Sequence, residues 1–325
     1  MRRVPPRFSP RYLVAPGAVA AVWIVFGAID PHFPSLDNAL NISGQFGALA
    51  VVALGEMLVI VTRGFDISVG SVAALASVAG AICAATFGTP GLAAAPLVGA
   101  LCGSINGVLV AYFAVQPIVT TLGMLLFARG LALLLSGGNQ AVPLPSDIDL
   151  SSIGYGDILA IPVIALVVAA LTIATRLLAT RLRIGRRLYM VGSNPQAAEL
   201  VGVPTGPTLV TAYGLCGLLA GVAALFFLGR SGAGLATEGA GLELQAIASA
   251  VIGGTALTGG VGVPFLVVCG AFFIQSLLNG LNLLGISPFI AELVLGMVIV
   301  AAGLLDFAIR RLGAARLALN PGRLS

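Results

Sequence analysis

The sequence predicts an all-α protein, a polytopic membrane bundle of about ten transmembrane helices. Two features of the composition carry this prediction, since 58% of the 325 residues are hydrophobic and only 9% are charged. The mean hydropathy of +1.08 is likewise typical of a chain whose solvent is lipid. A third observation is a series of apolar runs, each near the roughly 20 residues that a spanning helix needs. We therefore expect residues 1–325 to form one membrane-embedded domain.

Ten apolar runs give the candidate spans in chain order. They cover residues 12–29, 42–62, 69–87, 91–114, 117–136, 157–178, 208–229, 244–259, 262–284 and 287–309. The first run lacks a small-residue cleavage pattern, so we expect a retained helix and not a cleaved signal peptide. The eighth run is the shortest and is rich in glycine.

Three clusters of arginine predict the orientation of these spans. The clusters precede the first span, follow the sixth and follow the last. Because basic residues collect on the cytoplasmic side, we expect residues 1–11, 179–207 and 310–325 to be cytoplasmic. Six spans separate the first two clusters and four separate the last two, and both numbers are even, as this orientation requires.

Missing residue types exclude several functions. All 16 basic residues are arginine, and a nucleotide-binding P-loop needs a lysine, so this chain is not itself a P-loop ATPase. The single histidine, His32, and four dispersed cysteines give no metal-ligand or redox spacing, and no Ser/His/Asp set for hydrolysis. We expect no catalytic, cofactor or metal site and no nucleic-acid partner.

Glycine clusters interrupt several apolar runs. Residues 64–71, 137–140 and 253–262 place glycines beside hydroxyl or amide side chains, which is typical of broken or re-entrant helices that line a cavity. Residues 99–118 and 270–289 both begin with Gly-Ala, carry Asn-Gly and end near a proline, which indicates a weak internal repeat. The remaining glycines suit close helix packing in lipid.

Five stretches carry a resemblance to a known family. These stretches are residues 53–75, 103–138, 191–203, 242–262 and 279–289. Over about residues 40 to 305 the sequence resembles the permease subunits of ribose/xylose-type sugar ABC importers. The resemblance implies a multi-pass subunit of a bacterial inner membrane, paired with an identical or related permease. It also implies a cytoplasmic ABC ATPase that uses the ATP, and a periplasmic or lipid-anchored sugar-binding protein that delivers a monosaccharide or related polyol.

The stretch GSNPQAAELVG, residues 192–202, predicts a short cytoplasmic helix. Ser193 and Asn194 suit a helix start, a proline follows in the first turn, and Gly202 suits the end. The segment resembles the coupling helix of importer permeases, although Gln196 stands where that family usually has Glu. The residues implied in ATPase coupling are Asn194, Gln196, Ala197, Ala198, Glu199 and Gly202. The alternative is an ordinary surface turn.

Ionisable and amide residues inside the apolar runs are candidates for a solute path or its gate. They are Glu56, Asp66, Ser68, Asn106, Arg129, Asn279, Asn282 and Glu292. Charges in lipid cost several kcal/mol unless they are paired or functional. Arg129 could neutralise Glu56 or Glu292.

Asp66 and Ser68 have two possible roles, which the sequence leaves open. Both could cap the third helix by accepting its free N–H groups, or they could take part in the path. Arg63, where the family usually has glycine, could pair with Asp66 or Glu56 or add to the cytoplasmic charge.

Two other transport classes share some of these sequence features. An ion-coupled secondary transporter would also show repeats and broken helices, with Glu56 or Glu292 as its coupling acid. A channel is disfavoured because the sequence has no repeated filter segment.

Overall fold

The fold comes from a computed structural model, which describes the backbone of residues 11–159 and 161–318 and the side chains of 13–159 and 161–304. Residues 1–10 and 319–325 lie outside this description, and with them most of the predicted terminal segments. The long helices are α1 Arg11–Ile29, α2 Leu36–Val61, α3 Val69–Phe87, α4 Ala94–Tyr112, α5 Pro117–Leu135, α7 Val163–Arg181, α10 Thr205–Ser231, α12 Pro264–Leu283 and α13 Pro288–Ala318. The shorter helices are α6 Ser151–Gly154, α8 Arg183–Ser193, α9 Pro195–Leu200 and α11 Leu242–Ile252, and a 3₁₀ turn, Thr89–Ala93, precedes α4.

Four two-residue strands are the sheet content of the described residues. Strand β1, Val142–Pro143, pairs antiparallel with β4, Ala233–Gly234, and β2, Asp157–Ile158, pairs antiparallel with β3, Ile161–Pro162. These short pairs order the loops at one end of the bundle. The prediction of an all-α bundle is therefore confirmed.

Seven helical stretches of the described chain are long and apolar enough to cross a membrane. They are Leu36–Val61, Val69–Phe87, Thr89–Tyr112, Pro117–Leu135, Val163–Arg181, Thr205–Ser231 and Pro264–Leu283. Three shorter apolar helices, Leu13–Ile29, Leu242–Ile252 and Pro288–Leu304, occupy the other predicted positions. An apolar helix thus stands at each of the ten predicted places.

Four predicted boundaries were wrong, among them the end of the tenth span, 287–309, because α13 continues to Ala318. The eighth span, 244–259, is not one helix, because α11 ends at Ile252 and Gly254 has a φ of 78° that ends helical geometry. The sixth starts at Val163 and not at 157, because residues 157–162 form the β2–β3 hairpin. The second begins six residues early, at Leu36, where the Ser35 hydroxyl accepts the Asn38 N–H at 3.2 Å.

Helix α2 runs through the centre of the bundle. It packs against α10, α12, α11 and α7, and every residue from Phe46 to Val61 is buried. A helix that is apolar on all sides is expected to occupy such a central place. Glu56, the ionisable residue of this stretch, is consequently enclosed by protein.

Glycines bring α4 and α10 into backbone contact. A Cβ atom added at Gly99, Gly103 or Gly107 of α4 would meet main-chain atoms of α10, including those of Gly217 and Val210. Close approach through small residues at a spacing of four is a standard way to pack helices in lipid. The two helices therefore form one tight pair.

The bundle has two distinguishable ends. One, which we call the α9 end, carries α8, α9, the last turn of α2 and the loop 253–263. The other, the opposite end, carries α6, the β2–β3 hairpin and the last turn of α10.

Candidate functional site

Four of the predicted path residues meet in one buried cluster between α2, α3 and α4. Glu56 of α2 accepts the Asp66 backbone N–H at Oε1, 3.2 Å away. Asp66 Oδ1 accepts the Ser68 N–H at 2.9 Å and the Ser68 hydroxyl. Asn106 of α4 donates from Nδ2 to Ser68 Oγ at 3.0 Å. All four side chains are buried, so this cluster of Glu56, Asp66, Ser68 and Asn106 faces protein on every side.

This geometry changes the expected capping role of Ser68. Ser68 is the N-cap residue of α3, yet its hydroxyl donates to Asp66 and makes no cap bond to the helix. Asp66 does accept one backbone N–H at the start of α3, from Ser68 itself. The cluster fixes the α2–α3 turn against α4, and the role of its members in a path or gate stays a prediction.

Asp66→Asn is expected to keep the folded yield near that of the wild type, because the amide Oδ1 can accept the same two bonds. Asp66→Ala removes the acceptor and leaves buried donors unsatisfied, at a cost of about 1–3 kcal/mol each. Fluorescence size-exclusion chromatography of detergent extracts measures the difference. A normal yield for Asp66→Ala together with lost uptake would instead favour the path-or-gate role.

Arg129 forms an ion pair with neither Glu56 nor Glu292, although the sequence suggests either pairing. Its Nη1 donates to the carbonyl oxygens of Ala236 and of Glu238, the latter at 3.0 Å. Both carbonyl groups belong to an irregular segment, since residues 232–241 between α10 and α11 are non-helical. Arg129 thus anchors this segment against α5.

The remaining path candidates lie apart from the cluster. Asn279 of α12 is buried, and its Oδ1 has no hydrogen-bond partner among the described residues. Asn282, near the end of α12, and Glu292 on α13 are exposed on the surface of the single chain. The structure therefore does not bring all eight candidates into one site.

Helix α9 has the predicted start and stop. Asn194 accepts the Ala197 N–H at 3.0 Å, and Gly202 follows the helix with a φ of 78°. Ala198 is buried, whereas Gln196 and Ala197 are exposed. Glu199 Oε1 accepts the Thr205 hydroxyl at 3.0 Å. The predicted short helix is therefore confirmed.

The exposed surface of α9 includes two apolar side chains that the sequence analysis missed. Leu200 is 88% exposed and Val201 is 68% exposed. They stand at an end of the bundle that is rich in arginine, where exposed apolar side chains are not needed to face lipid. Such a patch is typical of a protein-binding surface.

Arg63 joins α2 to the junction of α8 and α9. Its Nε donates to the Gly192 carbonyl at 2.6 Å, and its Nη2 donates to the Ser193 carbonyl at 2.7 Å. Of the alternatives that the sequence left open, pairing with Asp66 or Glu56 is not the one formed, because the guanidinium donates to these two carbonyls at the α8–α9 junction. Arg63 also has a φ of 69°, a left-handed conformation that favours glycine.

The loop 253–263 completes this junction. The Gly260 N–H donates to the Val61 carbonyl at 2.9 Å, and the Tyr189 hydroxyl of α8 donates to the Gly262 carbonyl at 2.7 Å. Burial raises the pKa of Tyr189 to about 12, so the phenol keeps its proton and remains a donor at neutral pH. Helices α8 and α9, through their junction, and the loop 253–263 are thereby held against the end of α2.

Two adjoining cavities open at the opposite end, with volumes of about 330 and 280 Å³. Gly44 and Arg230 line both. The polar side chains around them include Asn41, Gln45, Arg230, Glu238 and Gln275, and we call this set of five the polar vestibule. Tyr155 and Asp157 also line the first cavity.

Comparisons with known proteins decide the family. A family described as "Branched-chain amino acid transport system / permease component" matches residues 38–303. The chain belongs to this permease family. The ribose import permease protein RbsC of Escherichia coli K12 is 34% identical to the permease, with 92% of this chain and 95% of the relative covered. No solved structure matches this chain.

Two further relatives of the permease have different solutes in their names. The D-allose transport system permease protein AlsC of Escherichia coli K12 is 32% identical, with 89% of each chain covered. The autoinducer 2 import system permease protein LsrC of Yersinia pestis is 35% identical, with 90% of this chain and 85% of the relative covered. The permease is thus a multi-pass transport subunit, and the importer class is favoured over the ion-coupled alternative.

Proposed function

We propose that this permease is the transmembrane subunit of an ATP-driven ABC importer for a monosaccharide or related polyol. The observation that carries the proposal is α9, a capped helix that exposes Leu200 and Val201 at the arginine-rich end. The names of the relatives, which refer to ribose, D-allose and autoinducer 2, support the solute class.

The energy for transport comes from a separate subunit in this proposal. The permease has no lysine for a P-loop, so a cytoplasmic ABC ATPase binds and hydrolyses the ATP and this chain holds no cofactor. The α9 end faces the cytoplasm, together with both termini and residues 179–207. A periplasmic or lipid-anchored binding protein delivers the solute at the opposite end, and a second permease, identical or related, completes the membrane part.

Contacts at the α9 end give a route from the ATPase to the bundle. Movement of α9 acts on Ser193 and Gly192, which are held by Arg63. The same junction reaches the loop before α12 through Gly260 and Val61. Alternating access then follows if these contacts transmit a tilt of α2 and α12.

The test is uptake by proteoliposomes that contain the permease, its partner ATPase and its binding protein. Pentoses, hexoses and polyols form the test panel, and we expect one of them to accumulate. This accumulation should require ATP on the side of the membrane where the ATPase lies. It should persist when the proton and sodium gradients are collapsed. If the permease alone took up the solute with a proton or sodium gradient as its energy source, the result would contradict the proposal and favour a secondary transporter.

Arg63→Gly is expected to weaken coupling without loss of stability. The change removes both tethers to the α8–α9 junction, but glycine adopts the left-handed backbone freely. Arg63→Ala removes the same tethers and keeps the backbone strain, which costs about 1–2 kcal/mol. Solute transported per ATP hydrolysed should fall in both variants, and the melting temperature should fall mainly in Arg63→Ala. A wild-type ratio in Arg63→Gly would show that the tether plays no part in coupling.

A further inference from the structure

The polar vestibule gathers its side chains from four separate parts of the fold. Gln45 lies on α2, Arg230 ends α10, Glu238 belongs to the irregular segment 232–241, and Gln275 lies on α12. Polar side chains inside a lipid-embedded bundle are costly and are usually kept for a path. Non-helical backbone at membrane depth is likewise tolerated where it lines a cavity. The convergence of these groups therefore indicates a site that accepts a polar guest.

The hydrogen bonds within the vestibule leave groups free for such a guest. The Gln275 amide donates to Gln45 Oε1 at 2.9 Å, and the Gln45 amide donates to Asn41 Oδ1 at 2.8 Å. Glu238 Oε2 is buried and has no hydrogen-bond partner among residues 13–159 and 161–304. Within the same residues the Arg230 guanidinium has no carboxylate at ion-pair distance and lies over the Tyr155 ring, 5.6 Å from its centre.

We propose that the polar vestibule is the site at which the permease receives a neutral polyhydroxylated solute, contacted by Gln45, Arg230 and Gln275. The inference rests on the proposed function and names the residues that would meet its solute. Amides both donate to and accept from hydroxyl groups, the guanidinium supplies further donors, and the free oxygen of Glu238 accepts. The lining of the two cavities holds one cation, Arg230, and two acids, Glu238 and Asp157, so it has no surplus of positive charge that would favour an anionic guest.

Two other cavities lack these properties. The cavity beside Pro16, Phe46 and Phe272 is lined mainly by apolar groups and suits a lipid chain or packing against a neighbour. The cavity beside Arg176, Tyr189 and Gly262 lies at the α9 end. All four cavities have volumes near the lower end of the range for small-molecule sites, which is about 300–1,000 Å³, so the vestibule is distinguished by its lining and its place in the fold and not by its size.

Two substitutions are expected to impair solute binding in the vestibule, each by a different physical effect. Gln275→Leu removes a hydrogen-bonding group at nearly constant volume. Gly44→Leu fills the space between the two cavities, and the backbone tolerates it because a Cβ at Gly44 meets only Arg230 Nη1, at 3.8 Å. Gln140→Leu and Gly123→Leu are matched controls, since Gln140 is exposed outside the vestibule and a Cβ at Gly123 meets nothing within 4 Å.

The experiment measures D-ribose and D-allose uptake by the complete importer in proteoliposomes, together with ATP hydrolysis stimulated by the binding protein. We expect Gln275→Leu to lower uptake of the better of the two sugars about tenfold, the equivalent of one or two lost hydrogen bonds, and to change the ratio between them. Gly44→Leu should abolish the uptake of both sugars. Stimulated ATP hydrolysis and assembly should remain within about twofold of the wild type in all four variants.

Other outcomes separate the two proposals. Wild-type rates and an unchanged sugar ratio in both Gln275→Leu and Gly44→Leu would overturn the vestibule assignment while the importer function stands. An equal loss of uptake, ATP hydrolysis and assembly would also overturn it, because it would show a structural role. Absence of ATP-dependent uptake of both sugars and of the wider panel by the wild type would contradict the proposed function itself.

Discussion

Leu200→Asp is expected to lower ATP-dependent uptake by about a hundredfold while the permease still inserts in the membrane. Leu200 is 88% exposed at the tip of α9, so the change removes no internal packing. At an interface with the ATPase, however, it would place an unpaired carboxylate in an apolar contact, which is costly. Co-purification of the ATPase with the tagged permease measures the loss directly, and uptake in proteoliposomes measures its consequence.

Leu159→Asp is the matched control for this substitution. Leu159 is 93% exposed and lies at the opposite end, between β2 and β3. The same chemical change there should leave co-purification of the ATPase intact. If Leu200→Asp retained the ATPase and supported normal uptake, α9 would not be the docking helix.

Replacement of Gly103 by leucine should prevent the permease from folding. A Cβ at this position would meet the Tyr213 carbonyl and the Gly217 backbone of α10, and neither can move without displacing a helix. Overpacking of a core costs about 1–3 kcal/mol, and more where backbone must shift. We expect little monodisperse protein in size-exclusion chromatography and rapid loss on heating.

Gly123→Leu is the corresponding control in α5. Beyond the local backbone of its own helix, no atom of the described residues lies within 4 Å of a Cβ at Gly123, so this variant tests the effect of the larger side chain without a clash. It should purify in wild-type amounts. Equal losses in both variants would show that leucine in place of glycine is harmful for a reason other than the α4–α10 contact.

The sequence predicted the helices well because the signal for a spanning helix is local. Run length and hydropathy mark α3 and α5 almost to the residue. The same signal misplaced the end of α11 and the start of α7. In both places apolar residues belong to a loop or a hairpin, and hydropathy does not separate an apolar loop from an apolar helix.

The site was predicted less completely because partners depend on how helices meet. The sequence identified Glu56, Asp66 and Asn106 as unusual, but only packing shows that they contact one another. The pairing of Arg129 with backbone carbonyls has no sequence signal. Gln45 and Gln275 were overlooked, although each lies inside a predicted span, as do the asparagines that were named as candidates.

The glycine stripe of α4 has a mechanical consequence. Main chains in direct contact cannot slide along each other without their Cα atoms colliding, so α4 and α10 must travel as a single rigid rod. Any rocking of the bundle is then hinged elsewhere, at helices whose facing side chains can change rotamer. A chemical crosslink between these two helices would consequently leave the motion unhindered.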